Sequence, residues 1–188
     1  MLDPRWLARQ LLERSLVTHE KLLTAEQRGG SDLALNLIAT GAVTEPDLLR
    51  MLGLHFRTRY VTTEKLGQAQ IPPSVLEKLT LEQCERSLAA PVKWEPESET
   101  LSVVVGNPNL PALAQELRRV SGARSIEMNV ALSAGVQAAI RKWYRGDIHA
   151  FSKVERSLDH GYPQMIDMYD QRAIDLDESS TSAEDLAP

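Results

Sequence analysis

Leucines spaced four apart set the first pattern in the chain. Leu7 and Leu11, then Ser15-Leu16-Val17-Thr18 and Leu22, recur 26 positions later as Leu33 and Leu37, then Gly41-Ala42-Val43-Thr44 and Leu48. Apolar residues at this spacing share one face of a helix, so each copy reads as helix, tight turn, helix. Gly41 suits the left-handed residue that ends a helix, and Thr18 and Thr44 are placed to cap the next one through a side-chain oxygen. Pro46 and Asp47 then fall in a first turn, where a missing N–H costs nothing and negative charge favours the helix dipole. Gly29-Gly30 separates the copies. One hairpin cannot bury its apolar face alone, so the pair predicts a stacked four-helix array over residues 1–56.

From about Arg57 the period changes. Tyr60-Val61-Thr62 is a short β-like run, Pro72-Pro73 opens a helix carrying Val75, Leu76 and Leu79, and a second short helix lies around Leu81 to Arg86. Leu88 to Trp94, the polar turn Glu95 to Thr100 and Leu101 to Val105 form a β-hairpin. Its second strand is almost continuously apolar and so is expected to be buried on both faces. Gly106-Asn107-Pro108-Asn109 stops it, read as a plain turn with pocket lining as the alternative. A helix follows with Leu110, Leu113, Leu117 and Val120 on one face and Gly122 past its end. Ile126, Met128, Val130 and Leu132 alternate with other residues in the period of a half-exposed strand, and Ser133 is expected to cap a last helix through Val136, Ala139, Ile140 and Trp143. The fold class is therefore α+β, a four-helix array followed by a small α/β sandwich over residues 57–145, in the order β-α-α-β-β-α-β-α. Residues 146–188 lack a sustained apolar face and read as an acidic, largely disordered tail or linker, with one turn around Met165 to Tyr169.

Composition narrows the function class. At 43% apolar and 25% charged, the 188 residues can bury enough surface to fold. Cys84 is the lone cysteine, which rules out an intrachain disulfide and a Cys-rich metal site and points to a reducing compartment. There is no signal-peptide core, and even Leu33 to Leu54 is interrupted by Asn36, Glu45, Asp47 and Arg50, so neither export nor membrane insertion is expected. The net charge of −5 is concentrated at the end: from Asp159 onward eight acids face Arg172 alone, leaving the rest slightly positive. That balance does not suit nucleic-acid binding, which requires clustered cations.

Taken in order, these signals resemble the N-terminal domain of the assembly ATPases of type II secretion and type IV pili, the GspE N-terminal or MshE N-terminal domain family. The resemblance spans about Arg5 to Tyr144. It rests on the doubled hairpin with Val17-Thr18 and Val43-Thr44, on Leu48 to Phe56, on Ile71-Pro72 to Leu79, and on Ala90-Pro91-Val92 paired with Leu101 to Val105. The Asn107-Pro108 turn, Val120-Ser121-Gly122 and Val136 to Tyr144 complete it. Such a domain ordinarily precedes a P-loop motor. Here no glycine is followed by lysine, so the phosphate-cradling G-x-x-x-x-G-K-[ST] is missing and the chain is not the motor. It is either a stand-alone relative or an excised front end, with the acidic stretch then beginning a linker.

The resemblance also implies a ligand to weigh. In the branch of the family that binds cyclic di-GMP, each repeat carries Arg-Leu-Gly at its start, a glycine at the turn and a glutamine near its end. The corresponding residues here are Trp6-Leu7-Ala8 and Asp32-Leu33-Ala34, Ser15 in place of the first turn glycine, and Gly29 and His55 in place of the glutamines. Asp32 repels a phosphate that the family's arginine would attract. A nucleotide at this place would have to use Arg5 and Arg9 instead.

Other chemistry is thin. His19, His55, His149 and His160 stand in unrelated contexts without ligand spacing, no G-x-S-x-G elbow is present, and Cys84 has no histidine assigned to it. Arg118-Arg119, Arg124, Arg141-Lys142 and Arg145 form basic ends of two helices, readable as a solvated face or as a surface for an acidic partner, including the acidic tail. The expected function is a non-catalytic, cytoplasmic interaction module without cofactor. By resemblance it docks to a cytoplasmic segment of an inner-membrane secretion or pilus component, or to a motor ATPase, which would make it peripheral to that membrane. The alternative is a cyclic di-GMP receptor with a degenerate motif. The surface expected to carry either role is Arg5, Trp6, Arg9, Leu12, Leu16, Leu23 and Gly41, with Trp6, Leu12, Leu16 and Leu23 leaving apolar area exposed.

Overall fold

The structure, a computed structural model, describes residues 2–29 and 32–158. Gly30, His160, the turn expected at Met165 to Tyr169 and the acidic stretch from Asp159 lie outside the described residues. The two hairpins are as the leucine repeat predicts: α1 (Pro4–Glu13), α2 (His19–Gln27), α3 (Leu33–Ala39) and α4 (Glu45–Phe56). Each helix starts on an oxygen side chain. Asp3 accepts from the Arg5 N–H at 2.9 Å, Thr18 from Lys21 at 3.4 Å, Asp32 from Leu35 at 3.2 Å and Thr44 from Asp47 at 3.3 Å. The turn between helices is left-handed in both copies, at Ser15 with φ 55° and at Gly41 with φ 67°. Leu7, Leu11, Leu22, Leu33, Leu37, Leu48 and Leu52 are all buried, each worth roughly 1.5–3 kcal/mol in water-excluded surface. Val130 and Leu132, from beyond the hairpins, belong to the same cluster, so the helical front is rooted in the rest of the fold.

The second part departs from the expected order in four places. The first strand reduces to one bridge: Tyr60 pairs with Val130, with Val61 N–H donating to the Val130 carbonyl and Val130 N–H to the Arg59 carbonyl, both at 2.9 Å. A helix not expected from the sequence, α5 (Thr63–Gln68), follows at once, capped by Thr62 and tied to the start of α4 because Thr63 donates from both N and Oγ1 to Glu45 Oε1 at 2.7 Å. Then come α6 (Pro73–Leu76) and α7 (Leu81–Ser87), the latter opened by a reciprocal cap between Thr80 and Gln83. β1 (Ala89–Glu95) and β2 (Thr100–Val105) form the antiparallel hairpin, bulged between Pro91 and Lys93, and β2 is buried along nearly its whole length as its apolar run demanded. α8 (Pro111–Ser121) crosses over to β3 (Ser125–Val130), which pairs parallel to β2, so the sheet order is β1-β2-β3.

The third departure is in the faces. Leu110 is the exposed cap residue of α8 rather than part of its buried face. Burial in β3 grows along the strand instead of alternating, because its end runs under the helical front. α9 (Ser133–Arg145) begins at Ser133 itself, which is a buried helical residue, and its cap position is Leu132 with no side-chain bond. The fourth is α10 (Ala150–Leu158), in the stretch read as tail from residue 146. Ala150, Phe151 and Val154 are buried in the sheet's core, and the Phe151 ring lies against Gly67 in α5. The ordered fold therefore extends past residue 145 by a whole helix.

Candidate functional site

Two of the repeat positions where the family resemblance places a ligand, Trp6 and His55, come together, and Phe56 joins them. Trp6 and His55 stack edge-on with centroids 4.7 Å apart, Phe56 lies 5.4 Å from Trp6, and His55 and Phe56 meet at 4.8 Å. The Asp32 carboxylate is engaged as the cap of α3, and the Gly29 carbonyl accepts from Asn36 Nδ2 at 2.7 Å. Arg5 and Arg9 are exposed one turn apart on α1, outside this cluster of rings. Of the four side chains expected to leave apolar area in water, Trp6, Leu12 and Leu16 are half-buried against the helical core, and only Leu23 is exposed, at 56%. Gly41 is an exposed turn residue. The apolar surface expected on the helical front is thus mostly spent on its own packing.

The open surface lies elsewhere, at the far end of α4. A groove of about 1020 Å³ is walled by Arg50, Gly53, Leu54 and Phe56 of that helix, by residues 57–60, by Pro108 and Asn109, and by Glu127 and Met128 of β3. Its shape comes from a tight reversal. Arg57 ends α4 in the left-handed conformation, and both its N–H and that of Thr58 return to the Gly53 carbonyl, the latter at 2.9 Å. Gly53 is required there, because a Cβ would stand 2.9 Å from the Thr58 carbonyl oxygen. The reversal leaves Leu54 69% exposed and Tyr60 at 36%, side by side with three arginines.

The electrostatics of the groove are one-sided. Arg59 Nη1 sits 3.5 Å from Glu127 Oε1, while Glu127 Oε2 accepts from Ser102 Oγ at 2.9 Å, so the acid is shared between two neighbours. Among the described residues Arg50 and Arg57 have no ion-pair partner, and the groove is cationic over an apolar floor. The sequence reading missed these arginines. It singled out Arg118-Arg119 and Arg141-Lys142 because they are adjacent, yet part of that face is internally engaged: Arg145 pairs with Glu85, and Lys142 donates to the Gly67 carbonyl. The Asn107-Pro108-Asn109 turn does line a groove through Pro108 and Asn109, the alternative weighed for it.

Reactive groups are absent from this surface. Cys84 is fully buried, donates to Tyr144 Oη at 3.4 Å, and burial pushes its thiol up to about 11, which keeps it protonated and unreactive. Tyr144 is likewise pushed up by burial, and its hydroxyl reaches the Leu76 and Leu79 carbonyls, both at 2.9 Å. Among the described residues no group of three His, Cys, Asp or Glu is arranged to hold a metal, and no helix is long and apolar enough to cross a membrane.

Fold and site together define an α+β domain with a cationic, apolar-floored groove. The MshEN domain family matches residues 45–150, and the chain belongs to that family. It is the same family of secretion and pilus ATPase N-terminal domains that the order of sequence signals resembles. Among solved structures, one of MshE with cdg aligns at a TM-score of 0.54 and 19% identity, covering 73% of this chain and 98% of that one. The N-terminal domain of XpsE aligns at a TM-score of 0.50 and 21% identity, covering 76% and 97%. At these identities the likeness establishes the shared fold. No curated protein matches the chain. The matched XpsE structure is that of an N-terminal domain. The family match begins at Glu45, so it contains the whole groove and excludes Arg5, Trp6, Arg9 and Leu23.

Proposed function

We propose that this domain is a docking and regulatory module of a bacterial type II secretion or type IV pilus machine. In this reading it binds a cytoplasmic segment of an inner-membrane platform component, or the motor ATPase, and is held at the membrane only through that partner. The observation that carries the reading is the groove: exposed Leu54 and Tyr60 beside Arg50 and Arg57, with no nucleophile, general base or metal set among them. Arginine and aromatic residues around an exposed aliphatic anchor are the composition of protein interfaces, where a few such residues supply most of the affinity. The test is titration calorimetry of the full chain against purified cytoplasmic segments of the platform component and the motor. Binding that falls about a hundredfold or more in Leu54→Asp supports the reading. Binding to neither would overturn it.

A second reading draws on the solved MshE, whose structure is with cdg. In this chain the counterpart positions hold the Trp6–His55–Phe56 stack and the Asp32 cap, so phosphate-pairing arginines are replaced by packed rings and a carboxylate. Nucleotide recognition is the weaker reading for that reason. Cyclic di-GMP added to the same calorimeter cell is expected to give no heat. Micromolar binding lost on replacing Arg5 or Arg9 would reverse the order of the two readings.

A further inference from the structure

β3 has an unpaired edge, and the groove opens beside it at Glu127 and Met128. In a parallel pair, the backbone N–H and C=O of successive residues point alternately to the two sides of the strand. The Ala131 N–H points toward β2, donating to the Val105 carbonyl at 3.0 Å. Val130 points the other way, giving its N–H to Arg59 and taking one from Val61. By the same alternation Met128 and Ile126 direct their N–H and C=O away from β2. Among the described residues nothing accepts or donates there, because residues 59–61 cover the edge only at Val130. The fourth row of the sheet is begun and then abandoned when the chain turns off at Arg57, and the space it leaves is the groove lined by Met128, Tyr60 and Leu54.

We propose that this row is completed by an extended segment of a partner protein, one that carries both acidic and aliphatic residues. The proposal rests on the docking reading above and names its chemistry. Added as a strand beside Ile126 and Met128, such a segment satisfies their open backbone groups, the usual source of affinity when a peptide extends a sheet. Arg50, Leu54 and Arg57 are three and four positions apart and so share one face of α4, and a segment laid along this wall meets an apolar side chain and two guanidiniums together. Those two guanidiniums, unpaired among the described residues, select acids. A second copy of this chain fits poorly, because edge-to-edge pairing would bring both sets of arginines together.

The experiment is residue-resolved amide exchange on the full chain with two short synthetic peptides, one alternating valine with glutamate and one alternating valine with lysine. With the glutamate peptide, exchange at Ile126 and Met128 is expected to slow about tenfold or more, with no change for the lysine peptide. The slowing is expected to vanish in Arg57→Glu and in Met128→Pro, which removes an outward N–H that no other strand uses. If Met128→Pro does not fold, the double variant Arg50→Glu with Arg57→Glu carries the same test from the charge side. Equal slowing by both peptides, slowing by neither, or slowing that rises with protein concentration alone would each overturn the proposal, the last in favour of self-pairing. Calorimetry with the platform segment separates the two levels. Undiminished binding to Arg57→Glu and Met128→Pro sinks the strand-addition proposal and leaves docking intact, whereas no binding to the unaltered chain sinks docking itself.

Discussion

The helical front and the sheet-bearing part use their apolar residues differently. In residues 4–56 the leucines of both repeats go inward, and the partly apolar leftovers, Trp6, Leu12 and Leu16, fold down onto the same core. Around β3 the core is just as closed, with Leu101, Val103 and Val104 wholly buried, yet Leu54 and Tyr60 stay in water beside arginines. The difference shows that repetition in this sequence serves packing. The residues that repeat are those that bury, and the open groove lies where the second copy ends.

The largest expected effect tests whether the two parts are energetically separate. Leu48 is fully buried in α4, and its cluster includes Val130 and Leu132 from the sheet side. Leu48→Ala is expected to cost about 3 kcal/mol, within the usual span for a buried leucine. Because the clusters interlock, Trp6 in the front and Trp94 in the sheet should report one common urea transition. Two transitions, with Trp94 unmoved by the substitution, would break the comparison by making the front an independent unit.

A second effect belongs to the sheet-bearing part alone. The Cys84 thiol is raised from 9.0 to about 11 by burial, so the folded state favours its protonated form. That contribution is fully present below the unfolded thiol's pKa and is lost as pH rises from about 9 through 11, amounting to at most roughly 2 kcal/mol. Urea midpoints between pH 7 and 10.5 should fall in the native chain and fall less in Cys84→Ala. Identical slopes in the two would remove the buried thiol as the cause.

How much of this was legible in the sequence follows from how many residues carry each signal. The hairpins were readable because leucines four apart, a turn glycine and threonine caps all agreed. α10 was not, since its nine residues offer about one large apolar side chain per turn, Phe151, Val154 and Leu158, and its partner Gly67 lies far away in the chain. Tyr60-Val61-Thr62 predicted a strand and yielded a single bridge, because three β-prone residues do not reveal that Thr62 will cap a helix next. At the site, Arg50, Arg57 and Arg59 come from a helix, a left-handed cap and a bridge, so adjacency in sequence could not find them. The aromatic stack was half visible: Trp6 and His55 were recognised as replacements for the family's residues, but not as each other's neighbours.

That stack supplies a smaller prediction. Trp6→Ala should cost about 1–2 kcal/mol, less than a fully buried tryptophan because Trp6 is only half-buried. It should also leave cyclic di-GMP unbound, since vacating the place of an arginine does not create one. Heat of binding appearing in Trp6→Ala would mean that the rings merely block a competent site.

The smallest effect compares the two repeats directly. Their turns adopt the same left-handed conformation, at Gly41 with φ 67° and at Ser15 with φ 55°. A side chain in that region is crowded by its own backbone, whereas glycine is not. Ser15 is exposed and makes no hydrogen bond through its side chain among the described residues, so nothing offsets the crowding. Ser15→Gly should therefore stabilise the chain by about 0.5–1 kcal/mol, net of the extra freedom glycine has when unfolded, and Gly41→Ser should destabilise it by a similar amount. Opposite signs from mirror substitutions, read as urea midpoints, would establish the repeats as one turn built from two residues. Equal signs would mean that the hairpins, alike in backbone, differ in what surrounds their turns.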